Sequence, residues 1–133
     1  MSDLIKYENN ELAIAMSGSI DELARPFCRD IFLIRSYVAG TAYVTDIKKR
    51  IRGIKENDEL YLKREPHNPA DERAILVLNK KGEKIGYVPR RDNTVLASLM
   101  DGGKHLFGIV TDVDSDEYDD AVFIDMDLYL KDY

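Results

Sequence analysis

The sequence predicts a mainly β domain: a small β-barrel of about six strands over residues 29–133, with one capping α-helix at about 92–101 and an N-terminal arm over residues 1–28. Three observations carry this reading. Short runs rich in branched residues recur along the chain, the C-terminal segment alternates strictly between apolar and polar residues, and only one stretch has a helical apolar stripe closed by glycines. With 133 residues, 44% of them hydrophobic, the chain has the size of one domain that buries roughly two thirds of its unfolded surface.

The elements follow in order. In the arm, Ser19 and Glu22 have capping-box spacing, yet Pro26 leaves room for barely one turn; the expectation is an arm that packs on the domain with a short helix around Asn10 to Met16. "DIFLIRSYV" (Asp30 to Val38) and "RAILVLN" (Arg73 to Asn79) are nearly continuous apolar runs, which suit strands covered on both faces. In "DELYLKRE", Leu60 and Leu62 point one way and Glu59, Tyr61 and Lys63 the other. "KKGEK" is a hairpin turn in which Gly82 is free to take positive φ, and it returns the chain into "KIGYV". Asp92 or Asn93 caps the helix, Val95, Leu96, Leu99 and Met100 form its stripe, and Gly102-Gly103 stops it; the stripe is expected to seal one barrel opening. Val122, Ile124, Met126, Leu128 and Leu130 share one face of a long strand expected to pair with "HLFGIVTDV".

Several function classes drop out on composition. No window approaches the ~18 apolar residues of a membrane span, and "ELAIAM" lacks the basic flank and longer apolar core of a signal peptide, so the expected compartment is the cytoplasm, with no membrane partner. Cys28 is the only cysteine, and with His67 and His105 it is too little for a Cys/His zinc site. Asp112, Asp114 and Asp116 have calcium-loop spacing, but Glu117 stands where that loop needs glycine and Phe123 where it needs glutamate; a solvated acidic hairpin loop is the better reading. There is no phosphate-binding glycine loop, no nucleophile elbow and no third group to organise Cys28 with a histidine, so neither catalysis nor a cofactor is expected.

The net charge of −6 is unevenly spread. Residues 46–104 carry 14 Lys/Arg against 10 Asp/Glu, whereas residues 105–133 carry one against nine. A basic face can therefore meet a polyanion despite the acidic total, since a polyanion responds to the local potential.

The most constrained stretch is "REPHNPADERAI", residues 64 to 75. Pro66 and Pro69 fix two φ angles and push Glu65 and Asn68 towards extended geometry. Within that frame stand a cationic fork (Arg64), an amide that donates and accepts (Asn68) and an anionic acceptor (Asp71). Taken singly, Asn68 and Asp71 read as caps of the turn's own N–H groups and Arg64 as a partner of Glu65 or Glu72. Taken in order with "VAGTAY", "GEKIGYVPR" and "LMDGGK", however, the stretch resembles the HIRAN domain, a module of Swi/Snf-type DNA translocases that also occurs as a stand-alone bacterial protein; the resemblance runs from about Asp30 to about Val110.

The resemblance implies a β-barrel related to the OB-fold and a pocket that, in a translocase member, holds the free 3′ end of single-stranded DNA. Asn68 and Asp71 match the residues that hold the terminal nucleotide there, Tyr43 matches a pocket tyrosine and Arg90 a phosphate-facing lysine. Ala42, Val44, Ala70 and Tyr87 stand where the family member has an arginine, a second tyrosine, an aromatic and a histidine. Losing two aromatic contacts at ~1–3 kcal/mol each weakens base stacking. The expected function is non-catalytic binding of single-stranded DNA or DNA ends through Tyr43, Arg64, Asn68, Asp71, Lys84, Tyr87, Arg90 and Arg91, in DNA repair, processing or a mobile element. In that reading the tyrosines stack on bases and the cations meet phosphates. The alternative is a protein-interaction module whose rigid corner and acidic loop dock a partner such as a translocase or nuclease.

Overall fold

The computed structural model describes residues 30–116, 118 and 121–131. The expected arm, with its short helix, lies outside them. The described chain runs β1 (Asp30–Tyr37), a 3-10 turn (Thr41–Tyr43), α1 (Ile47–Arg50), β2 (Glu59–Glu65), β3 (Ala74–Leu78), β4 (Lys84–Tyr87), α2 (Arg90–Asp101), β5 (His105–Ser115) and β6 (Val122–Lys131). The six strands form one antiparallel sheet in the order β1-β6-β5-β2-β3-β4. Its two edges approach through a single bridge, Ala39 to Tyr87, whose two backbone hydrogen bonds measure 2.7 and 2.8 Å. The sheet curls towards a barrel without a closing ladder, so the expected OB-like barrel of six strands is present in an open form. Gly86 permits the bridge: a Cβ there would lie 2.5 Å from both the Ala39 carbonyl oxygen and Val38 Cγ1.

Alternation decides which side chains fill the curl. Leu60, Ile75, Val77, Ile85, Val110, Ile124, Met126 and Leu128 are all fully buried, each on the inward face of its strand. β3 is buried on both faces as expected, with Ile75 and Val77 on one and Ala74 and Leu76 on the other. β1 is not: it is an edge strand whose ladder partner is β6, and Ile31 and Phe32 stay exposed. The turn between β3 and β4 is tied by Gly82 N–H to the Asn79 carbonyl at 2.9 Å, with Gly82 at φ 81°.

The helix starts earlier than its polar residues suggest. Pro89 precedes its first residue, so Arg90 and Arg91 form the first turn, and no side chain caps the N-terminus. Asp92 instead accepts a 2.7 Å hydrogen bond from the Ser36 hydroxyl, and Asn93 is buried. Leu96 and Ala97 face the core with Leu99 and Met100 beside them, whereas Val95 is exposed, a correction to the expected stripe. The glycine stop forms as expected, with Lys104 N–H on the Leu99 carbonyl and Gly103 at φ 95°.

Candidate nucleic-acid interface

The proline-framed corner joins β2 to β3 and is held by its own side chains. Asn68 Oδ1 accepts from the backbone N–H of Ala70 at 2.8 Å and of Asp71 at 3.2 Å. Its Nδ2 donates to Glu65 Oε1 at 3.0 Å and, more weakly, to the Tyr87 hydroxyl oxygen at 3.4 Å. Both acceptor sites and both amide protons are thus engaged. The Tyr87 hydroxyl in turn donates to Glu65 Oε1 at 2.8 Å. Hydrogen bonds from Asn68, then from Tyr87, hold the Glu65 carboxyl below its ordinary pKa.

Asp71 both closes the turn and faces outward. Oδ1 accepts from Arg73 N–H and Oδ2 from Asn93 Nδ2, each at 2.9 Å. Those two bonds, the backbone one first, and then the charge of Arg90 hold its carboxyl below the ordinary value. A carboxylate has about four lone-pair sites, so each oxygen can still accept from a ligand. Arg90 sits beside it: Nε lies 3.7 Å from Asp71 Oδ2 and Nη2 donates to the Ala70 carbonyl at 2.9 Å, with most of the side chain exposed.

These groups border a pocket of about 450 Å³, within the range of small-ligand sites. Its floor is apolar, from Ala39, Ala74 and Val88, and Tyr43, Asn68, Asp71, Tyr87 and Arg90 stand around it. Tyr43 projects from the 3-10 turn and is 91% exposed, leaving its ring face free. The corner brings Asn68 and Asp71 to one opening with two tyrosines 44 residues apart in sequence, because the Ala39–Tyr87 bridge joins the segments that carry them.

Three of the expected site residues lie elsewhere. Arg64 Nε and Nη2 grip Asp101 at 2.9 and 3.1 Å, and its Nη1 and Nη2 donate to the carbonyls of Ala74 and Glu72. It pins the corner to the end of α2, and its partners are Asp101 and backbone rather than the side chain of Glu65 or Glu72. Lys84 places its ammonium 4.7 Å from the Tyr87 ring centre, and Arg91 lies over Tyr37 at 5.2 Å and near Asp92 at 3.5 Å. Two residues that sequence reasoning passed over matter to the site. Asn93 lies three and four positions before the buried Leu96 and Ala97, which puts it on the inward helix face, and it orients Asp71. Glu65 fixes the Tyr87 hydroxyl; read as half of a charge pair, it gave no signal of that role. Among the described residues no cluster of three or more metal-ligating side chains occurs, and no helix is long and apolar enough to cross a membrane.

Comparison with known proteins gives a consistent result. The family profile of the HIRAN domain matches residues 31–131. The helicase-like transcription factors of Oryctolagus cuniculus and Homo sapiens are 35% and 32% identical over 68 residues, which is 51% of this chain but 6% of either relative. A crystal structure of a protein from Lactobacillus plantarum superposes with a TM-score of 0.72 at 30% identity, over 79% of this chain and 98% of the other. The crystal structure of the HIRAN domain of human HLTF superposes at 0.58 with 23% identity, over 77% and 80%, which is a likeness of fold.

Proposed function

The chain belongs to the HIRAN domain family, and on that premise we propose that it is a non-catalytic module that takes the free 3′ end of single-stranded DNA into the pocket between Tyr43 and Tyr87. The family supports nucleic-acid binding in general. The finer reading rests on one observation: an exposed ring, a carboxylate with unused lone pairs and a guanidinium meet at one apolar-floored opening. A base can lie on the apolar floor against Tyr43. The 3′-hydroxyl then donates to Asp71, and the next phosphate meets Arg90 and the N-terminus of α2, whose first-turn N–H groups favour an anion. Asn68 acts through the wall it holds. A module of this kind would serve DNA repair, processing or a mobile element, beside a translocase or nuclease partner.

The test exploits the sign of Asp71. A 3′-phosphate sets an anion against the carboxylate and removes the donor, so it should cost at least about 1–3 kcal/mol, roughly five- to 150-fold in affinity. Oligonucleotides with a 3′-hydroxyl, a 3′-phosphate and no end at all should be titrated against the wild type and Asp71→Asn. The wild type should prefer the 3′-hydroxyl and the variant should lose much of that preference. Equal wild-type affinity for all three ligands would rule out an end pocket.

A further inference from the structure

Beyond the 3-10 turn the surface changes character. Ala42, next to Tyr43, lines a second hollow of about 430 Å³ together with Lys48, Lys49 and Arg52. Lys49 and Arg52 also line a third, of about 180 Å³, which reaches Lys80 and Lys81 on the β3–β4 turn. The three concavities thus form a series: the 3-10 turn separates the first from the second, and Lys49 and Arg52 separate the second from the third.

The cations along this series differ in how far they are already engaged. Arg50 is inward-turned, donating to the Lys84 carbonyl at 2.8 Å. Lys55 and Lys80 share Asp58 at 3.3 and 3.4 Å. Lys48 donates to the Asp116 carbonyl at the acidic β5–β6 turn. Lys49, Arg52 and Lys81 have no side-chain hydrogen bond or ion pair among the described residues. Asp46 lines the second hollow and Asp58 and Glu59 the third, but cations outnumber these carboxylates and Asp58 is already shared by Lys55 and Lys80, so a local positive excess remains that a polyanion laid across it neutralises while releasing its own counterions.

We infer that the basic turn around α1 is a second nucleic-acid contact, over which the phosphates internal to a bound strand pass from Tyr43 across Lys49 and Arg52 towards Lys81. This rests on the end-binding reading, because the pocket supplies the direction in which the strand leaves. The acidic β5–β6 turn beside Lys48 marks the far border, since phosphates are repelled there.

The experiment compares strand lengths. Thymidine oligonucleotides of about three and about fifteen nucleotides, with free 3′-hydroxyls, should be titrated by fluorescence anisotropy over a salt series against the wild type, Asp71→Asn and the triple variant Lys49→Ala/Arg52→Ala/Lys81→Ala, with melting curves as the folding control. The wild type should bind the longer strand more tightly. The triple variant should lose about tenfold on the longer strand and little on the shorter, and its log–log salt slope should be shallower by about 2, at ~0.7 per phosphate. Asp71→Asn should keep the length gain. Equal losses at both lengths, or none, would overturn the track and leave the end pocket intact. Absence of wild-type binding at either length would overturn both.

Discussion

The corner at residues 64–75 and the turn around α1 are both rich in polar and charged residues, but they dispose of them in opposite ways. In the corner the side chains that shape the turn are already bonded within the protein: Asn68 is saturated, Arg64 spends its donors on Asp101 and two carbonyls, and Glu65 and Tyr87 hold each other. Around α1 the apolar anchors Ile47 and Ile51 are buried while Lys49 and Arg52 remain unpaired among the described residues. Shape is thus fixed in one place and charge left available in the other. A dense polar motif can be a scaffold, and the groups that attract a ligand can lie in a plainer stretch beside it.

The largest effect should come from breaking the scaffold. Asn68→Ala leaves two backbone N–H groups without their acceptor and removes the amide's bonds to Glu65 and Tyr87, and should destabilise the fold by about 2–3 kcal/mol, seen as a lower denaturant midpoint. Lys49→Ala, on an exposed site without side-chain partners among the described residues, should stay within about 0.5 kcal/mol of the wild type. Similar losses in both would erase the distinction between the two regions.

A smaller, opposite effect should follow from adding to the corner what it lacks. Ala70 is exposed and lines the pocket, and Arg90 holds its carbonyl in place. Ala70→Tyr sets a ring at the opening, and at the lower end of the stacking range, about 1 kcal/mol, it should tighten a short oligonucleotide about fivefold. An unchanged or weaker affinity, with the fold intact, would mean that no base lies at that edge.

The same contrast explains what was legible in the sequence. Strand positions were readable because burial imposes a period of two on Leu60, Leu62 and the Val122–Leu130 series, and turns because Gly82 and Gly103 take φ values that side chains disfavour. The gathering of Tyr43, Asn68, Asp71, Tyr87 and Arg90 was legible through the family motif, since no local rule brings residues 43 and 87 together. Bonded partners were not. Arg64 read as a ligand contact because nothing local announces that Asp101, 37 residues on, completes its fork. The openness of the sheet and the exposure of β1 were hidden for a related reason: an apolar run does not tell an edge strand from a central one.

The subtlest test is acid. The carboxyls of Glu65 and Asp71 in the corner, and of Asp58 beside the basic turn, are all held below their ordinary values: Glu65 mainly by Asn68, Asp71 by the Arg73 N–H and Asp58 by the Lys55 N–H. Above the unfolded-chain values of about 3.9 and 4.3, both states are ionised and the stabilisation is complete. As the pH falls below about 5, the unfolded chain takes up protons first, so stability declines and is lost as the folded values are passed. The two regions should contribute unequally, because Glu65 and Asp71 sit in one connected network whereas Asp58 is bonded to a single loop N–H and two exposed lysines. Glu65→Gln/Asp71→Asn should therefore flatten the acid limb of a stability–pH curve more than Asp58→Asn, at a cost in stability near neutral pH that Asp58→Asn shares only in part. If Asp58→Asn flattens that limb as much, the corner is no more preorganised than the turn beside it, and the division between a shaped wall and a charged track would have to be redrawn.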